Sequence, residues 1–309
     1  MTQPAKIKYL TLPKDKRVIC ISDIHGELDL FMQLLNKIAF CDEDILILLG
    51  DMYLKGSKCR ETLDFCIKLS LQPNVHILRG NCEWGLTDYI SNDDINWLET
   101  LPDIIETTDF TFVHSGISSS NLDEQLMSLA KINNFMEISN RFEKWVVTGH
   151  WPTVNYCHKI PQSKPIINKD KRIIAIDGGA VVKIDGQLNA FIIEDDNFSY
   201  TYVDDLPKFV IKKAQKESGG NLNVTWNDRH IEILTEEGEL CQAKHKKSGI
   251  YITVPKSQIF KDFEGNTCIC DCATDYYLPC EAGDKVSVIE AFEDRIFAKI
   301  DGVSGWIMI

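Results

Sequence analysis

Short apolar runs, each closed by a polar cluster, set the rhythm of the first two thirds of the chain. The β-branched run Arg17-Val-Ile-Cys-Ile21 ends in Ser22-Asp23-Ile24-His25-Gly26. Asp44-Ile-Leu-Ile-Leu-Leu49 ends in Gly50-Asp51, and Val75-His-Ile-Leu78 in Arg79-Gly80-Asn81. Phe110-Thr-Phe-Val113 ends in His114-Ser-Gly116, and Trp145-Val-Val-Thr148 in Gly149-His150. Runs of this length and composition predict buried strands. Between them the apolar period lengthens. Leu28, Phe31, Leu34, Leu35 and Ile38 recur at helical spacing. A second helix is predicted over 57–71, burying Leu63, Cys66, Ile67 and Ser70. A third is predicted over 84–101 from Trp84, Leu86, Ile95, Trp97, Leu98 and Leu101. Strands alternating with helices predict α/β layering. Residues 120–144 read as a mixed helical insertion, and 166–203 as a second, strand-rich sheet.

The pattern changes after Asp204-Asp205-Leu206-Pro207. A basic, glycine-bearing stretch over 207–222 reads as a connector. Short strand-like runs with close turn signals follow over 223–309, among them Arg229–Leu234, Gly249–Val254 and Lys285–Ala291. They predict a small all-β region. A length of 309 residues suits two domains, here 1–206 and 223–309.

The polar clusters suggest chemistry. Asp23 and His25 stand two apart at a strand end and so can point the same way. Open α/β sheets bind ligands beyond the carboxyl ends of their strands. Five runs bring Asp23, His25, Asp51, Asn81, His114 and His150 to such ends. That set fits two divalent ions sharing one carboxylate. Mixed nitrogen and oxygen donors suit Mn, Fe or Zn better than Ca or Mg. His76, inside the third strand, reads as packed core.

In this order, Ser22-Asp-Ile-His-Gly26, Gly50-Asp-Met52, Arg79-Gly-Asn-x-Glu83, His114-Ser-Gly116 and Gly149-His-Trp-Pro152 resemble the calcineurin-like metallophosphoesterases. More narrowly they resemble the phosphoprotein phosphatase family and its diadenosine-tetraphosphatase-like relatives. The resemblance covers roughly residues 15–205, closing with Ile176–Ala180 and Gly186–Leu188. It implies a four-layer αββα sandwich. It places Asp23 and His25 on one metal, Asn81, His114 and His150 on the other, and Asp51 between them. The reaction implied is phosphoryl transfer to a metal-activated hydroxide. The catalytic set carried over is Asp51, Lys55, Arg79 and Cys82. Asp177 fits either an outer-shell ligand partner or a turn cap.

Departures from the family pattern redirect the expected substrate. The family's general-acid histidine is replaced by Cys82, and the aspartate that orients it by Leu54. Lys55 stands where the family has a phosphate-gripping arginine; it keeps the charge and loses the bidentate fork. General acid catalysis is worth about 10²–10⁴-fold and matters most for poor leaving groups. The expected activity is therefore hydrolysis of phosphomonoesters or phosphoanhydrides with good leaving groups. Cys82 is either a substitute acid or a small buried filler. A dinucleoside polyphosphate hydrolase is one alternative, and a degenerate phosphatase acting as a binding module is another.

Residues 267–309 resemble a bacterial SH3-like domain through Leu278–Val288 and Asp301–Ile307, which implies a protein or cell-wall ligand. Cys268, Cys270, Cys272 and Cys280 invite a zinc reading, but their spacing favours buried free thiols. His230 and His245 read as surface. Eleven cysteines, an odd number, point to a reducing cytoplasm. The N-terminus has no apolar leader, and no run is long enough for a membrane helix. A net charge of −13 disfavours a nucleic-acid partner; a phosphorylated small molecule or phosphoprotein is the substrate that the resemblance implies.

Overall fold

Alternation within the apolar runs decides how they stack. The computed structural model describes residues 4–84, 90–118, 120–122, 125, 131–195, 197–270 and 273–309. One unit gathers Met1–Thr153, Pro165–Val182 and Gly186–Asp204. Its strands are β1 (Ile7–Tyr9), β2 (Val18–Ile21), β3 (Ile45–Leu48), β4 (Val75–Ile77), β5 (Ile104–Glu106), β6 (Phe110–Val113), β7 (Trp145–Thr148), β8 (Ile166–Asn168), β9 (Ile173–Ala175), β10 (Leu188–Glu194) and β11 (Asn197–Val203). Its helices are α1 (Leu28–Lys37), α2 (Cys59–Leu69), α3 (Asn92–Thr100) and α4 (Phe135–Ile138).

The strands form two sheets, ordered β11-β10-β2-β3-β4 and β1-β5-β6-β7-β9-β8. Successive side chains on a strand point to opposite faces. Val18, Cys20, Ile45 and Ile47 therefore meet Ile105, Phe112, Val147 and Ile174 of the second sheet in one buried core. Ile19, Ile21, Leu46 and Leu48 point the other way, against Phe31 and Leu34 of α1, Leu63 and Cys66 of α2, and Leu98 of α3. Strands β2, β3 and β4 run parallel, as do β6, β7 and β9. Their carboxyl ends thus carry the polar clusters.

Helix α3 starts later than its apolar spacing suggests. Ser91 accepts from Asp94 N–H while the Asp94 carboxylate accepts from Ser91 N–H, a capping box that fixes the start at Asn92. Cys82–Trp84 forms a separate 3₁₀ turn, and Leu86 lies outside the described residues. Of the stretch 120–144, the described part holds only the single turn α4 as helix.

A second unit gathers Val154–Lys164, Lys183–Asp185 and Asp205–Ile309. Its strands are β12 (Lys208–Val210), β13 (Ile231–Glu237), β14 (Leu240–His245), β15 (Tyr251–Pro255), β16 (Ile259–Lys261), β17 (Thr267–Ile269), β18 (Lys285–Ala291), β19 (Arg295–Ile300) and β20 (Val303–Met308). The stretch expected as a connector thus carries a strand, because β12 finds an antiparallel partner in β18. The sheet β12-β18-β19-β20 covers a core of Ile211, Tyr276, Leu278, Cys280, Val286, Ile296 and Ile307. The sheet β13-β14-β15 and the pair β16-β17 cover another, including Leu222, Val224, Ile231, Ala243, Val254 and Ile269. Residues 183–185 join this unit through Asp185. Its carbonyl accepts from the buried Lys299 Nζ at 2.9 Å, and its carboxylate from Ser304 Oγ at 2.7 Å. His245, expected at the surface, is buried. Its ring nitrogens are spaced to reach Ser248 Oγ at 2.8 Å and the Asp228 carbonyl at 3.0 Å together, which an exposed ring would leave to water. Among the described residues no helix is long and apolar enough to cross a membrane.

Two outcomes are expected for the first unit. Ile47→Ala removes a fully buried side chain between the sheets and should cost about 2–5 kcal/mol in urea unfolding. His76 lies buried on β4 with its Nδ1 3.1 Å from Lys8 Nζ. Burial first, then the lysine charge, push its pKa down to about 4. The folded chain then holds His76 neutral where the unfolded chain protonates it, so this stability is complete above pH 6.5 and declines towards pH 4. For the metal-free protein, His76→Gln should flatten the pH dependence of unfolding in that window by up to about 1.4 kcal/mol per pH unit. An unchanged slope would count against this account of His76.

Candidate metal centre

The loops after the parallel strands adopt backbone that side chains ordinarily avoid. Asp23, His25, Asp51, Leu54, Lys55 and His150 all have positive φ, between 50° and 78°. Such strain persists only where the surroundings over-determine it. Here neighbouring loops lock together. Asp23 N–H donates to the Gly50 carbonyl at 3.1 Å, and His25 N–H to the Asp51 carbonyl at 2.9 Å. His150 N–H donates to Asp23 Oδ2 at 2.9 Å. Glycine is required at Gly149, where a Cβ would collide with Asp23 Oδ2, and at Gly80, where it would strike Asp51 Oδ1.

Glu83 is the residue that sequence reasoning passed over. Its buried carboxylate accepts from three backbone N–H groups: Asp51 at 2.8 Å, Met52 at 2.8 Å and Gly80 at 2.6 Å. It thereby ties the turn after β3 to the turn after β4. Burial raises its pKa first, and the nearby Asp51 charge adds to that. The signal was present in Arg79-Gly-Asn-x-Glu83, where Glu83 is the one acid of residues 75–83.

Seven donor side chains converge beside this frame. Atoms of His25, Asp51 and Cys82 lie within 4.8 Å of one another, as do atoms of Asp51, His114 and His150. Asp51 belongs to both groups. Asp23 Oδ1 stands 3.7 Å from His25 Nε2, and Asn81 Oδ1 3.2 Å from His114 Nε2. Burial would raise the Asp51 pKa, but His114, His25 and the Cys82 N–H hold it below the usual carboxylate range.

The donors fit a divalent metal. His114 Nδ1 lies 2.9 Å from the Leu49 carbonyl, which can only accept, so the ring proton sits on Nδ1. Its Nε2 lone pair then faces two more acceptors, Asp51 Oδ1 at 3.3 Å and Asn81 Oδ1 at 3.2 Å. Three acceptors at one point need a cation or a proton among them. Burial lowers the His114 pKa, but Asp51, Asp23 and Glu83 outweigh it and raise the net value. His25 gives the same signal, because its Nε2 takes the Lys55 ammonium at 3.1 Å while its buried Nδ1 has no hydrogen-bond partner. The backbone hydrogen bond that fixes the His114 tautomer is what a metal-ligating histidine uses.

The remaining predicted residues divide. Lys55 and Cys82 join the cluster. Cys82 donates its thiol to Asp51 Oδ2 at 3.0 Å and its N–H to Asp51 Oδ1 at 2.8 Å. Burial, then Asp51, push that thiol far above the usual range. Arg79 is engaged elsewhere: buried, it donates to Asp103 Oδ1 at 3.1 and 2.9 Å and stacks 3.7 Å over Trp84. Asp177 caps its own turn, accepting from Gly179 N–H at 2.7 Å. His150 Nε2 lies 2.9 Å from Asn133 Oδ1, a contact the sequence did not suggest.

A family model for calcineurin-like phosphoesterases matches residues 16–176. No curated protein matches the chain. A solved structure described as a candidate diadenosine tetraphosphatase is 20% identical, with a TM-score of 0.52; the match covers 65% of this chain and 99% of that one. A protein serine/threonine phosphatase from Saccharomyces cerevisiae is 14% identical over 66% of this chain and 85% of its own, with a TM-score of 0.48. At such identity the first of these shows the fold alone.

Removing the Glu83 carboxylate should loosen the donors without touching them. Glu83→Gln is expected to keep the circular dichroism of the parent while weakening manganese binding about 10–100-fold, measured by calorimetry. Unchanged affinity would show that the turns hold their geometry without it.

Proposed function

The chain belongs to the calcineurin-like phosphoesterases, a family of metal-dependent hydrolases, and from that premise we propose that it is a dimetal phosphatase acting on phosphomonoesters or phosphoanhydrides with good leaving groups. The observation that carries this reading is Asp51, whose carboxylate is common to both donor groups. Asp23, His25 and Asp51 would hold one ion, and Asp51, Asn81, His114 and His150 the other, with Mn, Fe or Zn suited to the donors. When bound, the ions supply Lewis acidity at the phosphoryl oxygens and an activated water.

The other residues position the substrate or keep the frame. Lys55, strained backbone and all, offers an ammonium beside His25 that is free to turn onto a phosphoryl oxygen once a metal takes the imidazole. Arg79 acts through Asp103 and Trp84 as a positioning residue, not on the substrate. Cys82 has its thiol proton committed to Asp51, which supports the filler role over that of a substitute acid. With Leu54 and Cys82 in place of the family's aspartate and histidine, the general acid that would protonate a poor leaving group is missing from its motif position. Phosphoanhydrides need no such help, which agrees in kind with the diadenosine tetraphosphatase named among the similar structures. The helices on one side and α4 on the other fit a four-layer sandwich, and the sheet β12-β18-β19-β20 fits an SH3-like barrel that binds a protein or cell-wall ligand.

The manganese-loaded protein should hydrolyse p-nitrophenyl phosphate, and Asp51→Asn should abolish that turnover. A phosphoserine peptide should react at least about 10²-fold more slowly. Comparable rates on the two substrates would contradict the leaving-group argument. No turnover with two ions bound would favour a binding module instead.

A further inference from the structure

The thiols of the second unit have no part in phosphoester hydrolysis, yet one of them has company the sequence did not suggest. We propose that His230, Asp262 and Cys268 form a binding site for a zinc-like divalent cation, separate from the Asp51 centre. His230 lies just before β13, Asp262 just after β16, and Cys268 within β17. His230 and Cys268 are antiparallel bridge partners, which sets their side chains next to each other on one face. His230 Nε2 is 3.1 Å from Asp262 Oδ2, Cys268 Sγ is 3.7 Å from the same oxygen, and the three donor atoms lie within 4.8 Å of one another. Ligands at about 2.0–2.3 Å from a tetrahedral ion stand roughly 3.3–3.8 Å apart, so the two edges that meet at Asp262 are already close to those of a tetrahedral site.

The chemistry agrees with the spacing. An imidazole, a carboxylate and a thiol form a mixed set that borderline-soft zinc takes readily, and magnesium or calcium does not. Without metal, the imidazole and the thiol both approach one carboxylate oxygen, Asp262 Oδ2. A divalent cation would sit between them: the thiol would bind as thiolate, its proton released to solvent, and the imidazole would bind neutral through Nε2 with its proton on Nδ1. Asp262 is held ready for this, because its Oδ1 accepts from the N–H groups of Glu264 at 3.0 Å and Asn266 at 2.8 Å. Cys268 is fully buried while the His230 ring is half exposed, which leaves a fourth position for water. Of the other cysteines in the stretch, Cys270 is exposed and Cys280 packs in the core with Val286 of β18, while Cys272 lies outside the described residues. Such an ion would clip the β16–β17 hairpin to the start of β13.

The test uses the full-length protein loaded with zinc, desalted and analysed for metal content. His230→Ala, at a half-exposed position, and Cys268→Ser should each lower zinc content by one ion per chain. Zinc affinity at this site should fall at least about ten-fold in each variant. Cobalt substitution gives a second readout. A thiolate-to-cobalt charge-transfer band should appear in the parent and in Cys82→Ala and vanish in Cys268→Ser. Unchanged zinc content in His230→Ala would overturn the proposal, as would a band that follows Cys82. Because His230→Ala and Cys268→Ser leave the Asp51 centre intact, failure here leaves the phosphatase reading standing, and loss of turnover in Asp51→Asn leaves this site untouched.

Discussion

One buried carboxylate ties the site together. Glu83 gathers the backbone N–H groups of Asp51, Met52 and Gly80, so two strand ends are fixed against each other before any ligand arrives. Burying a charge is costly unless it is well hydrogen-bonded, and three donors offset that cost here. The constraint propagates. With Gly80 held close, the Cys82 N–H meets Asp51 Oδ1, and the Asp51 oxygens face His25 Nε2 at 3.9 Å and His114 Nε2 at 3.3 Å. The left-handed backbone of Asp23, His25, Asp51 and His150 is the strain that this locking sustains.

The strands were legible because burial on both faces leaves nearly unbroken apolar runs, and parallel order makes their ends converge. The ligand candidates were legible for the same reason, since each follows such a run directly. What was not legible lay in contacts between distant segments. Glu83 looked like an ordinary acid until its three partners were seen. Arg79 sits in the motif and is the right residue type, but Asp103 and Trp84, far along the chain, claim its guanidinium. The start of α3 was misplaced because apolar spacing alone was read and the capping pair Ser91 and Asp94 was not.

The second unit shows the same limit more sharply. Short strand-like runs with close turn signals announced its strands, but β12 was hidden in a stretch whose lysines and glycines read as a connector. Proximity in sequence groups Cys268 with Cys270 and Cys272, whereas folding places it beside a histidine and an aspartate. His245 shows that a lone imidazole among polar neighbours can be fully buried when Ser248 and the Asp228 carbonyl take both nitrogens. Spacing along the chain reveals which face a residue occupies, and only tertiary pairing reveals what it meets.

The central claim is that Asp51 is shared by two metal ions. Anomalous diffraction from crystals grown with manganese tests it directly. The account predicts two peaks flanking the Asp51 carboxylate, roughly 3.5–4 Å apart, one beside His25 and one beside His114. A single peak, or a pair with no Asp51 oxygen between them, would contradict it.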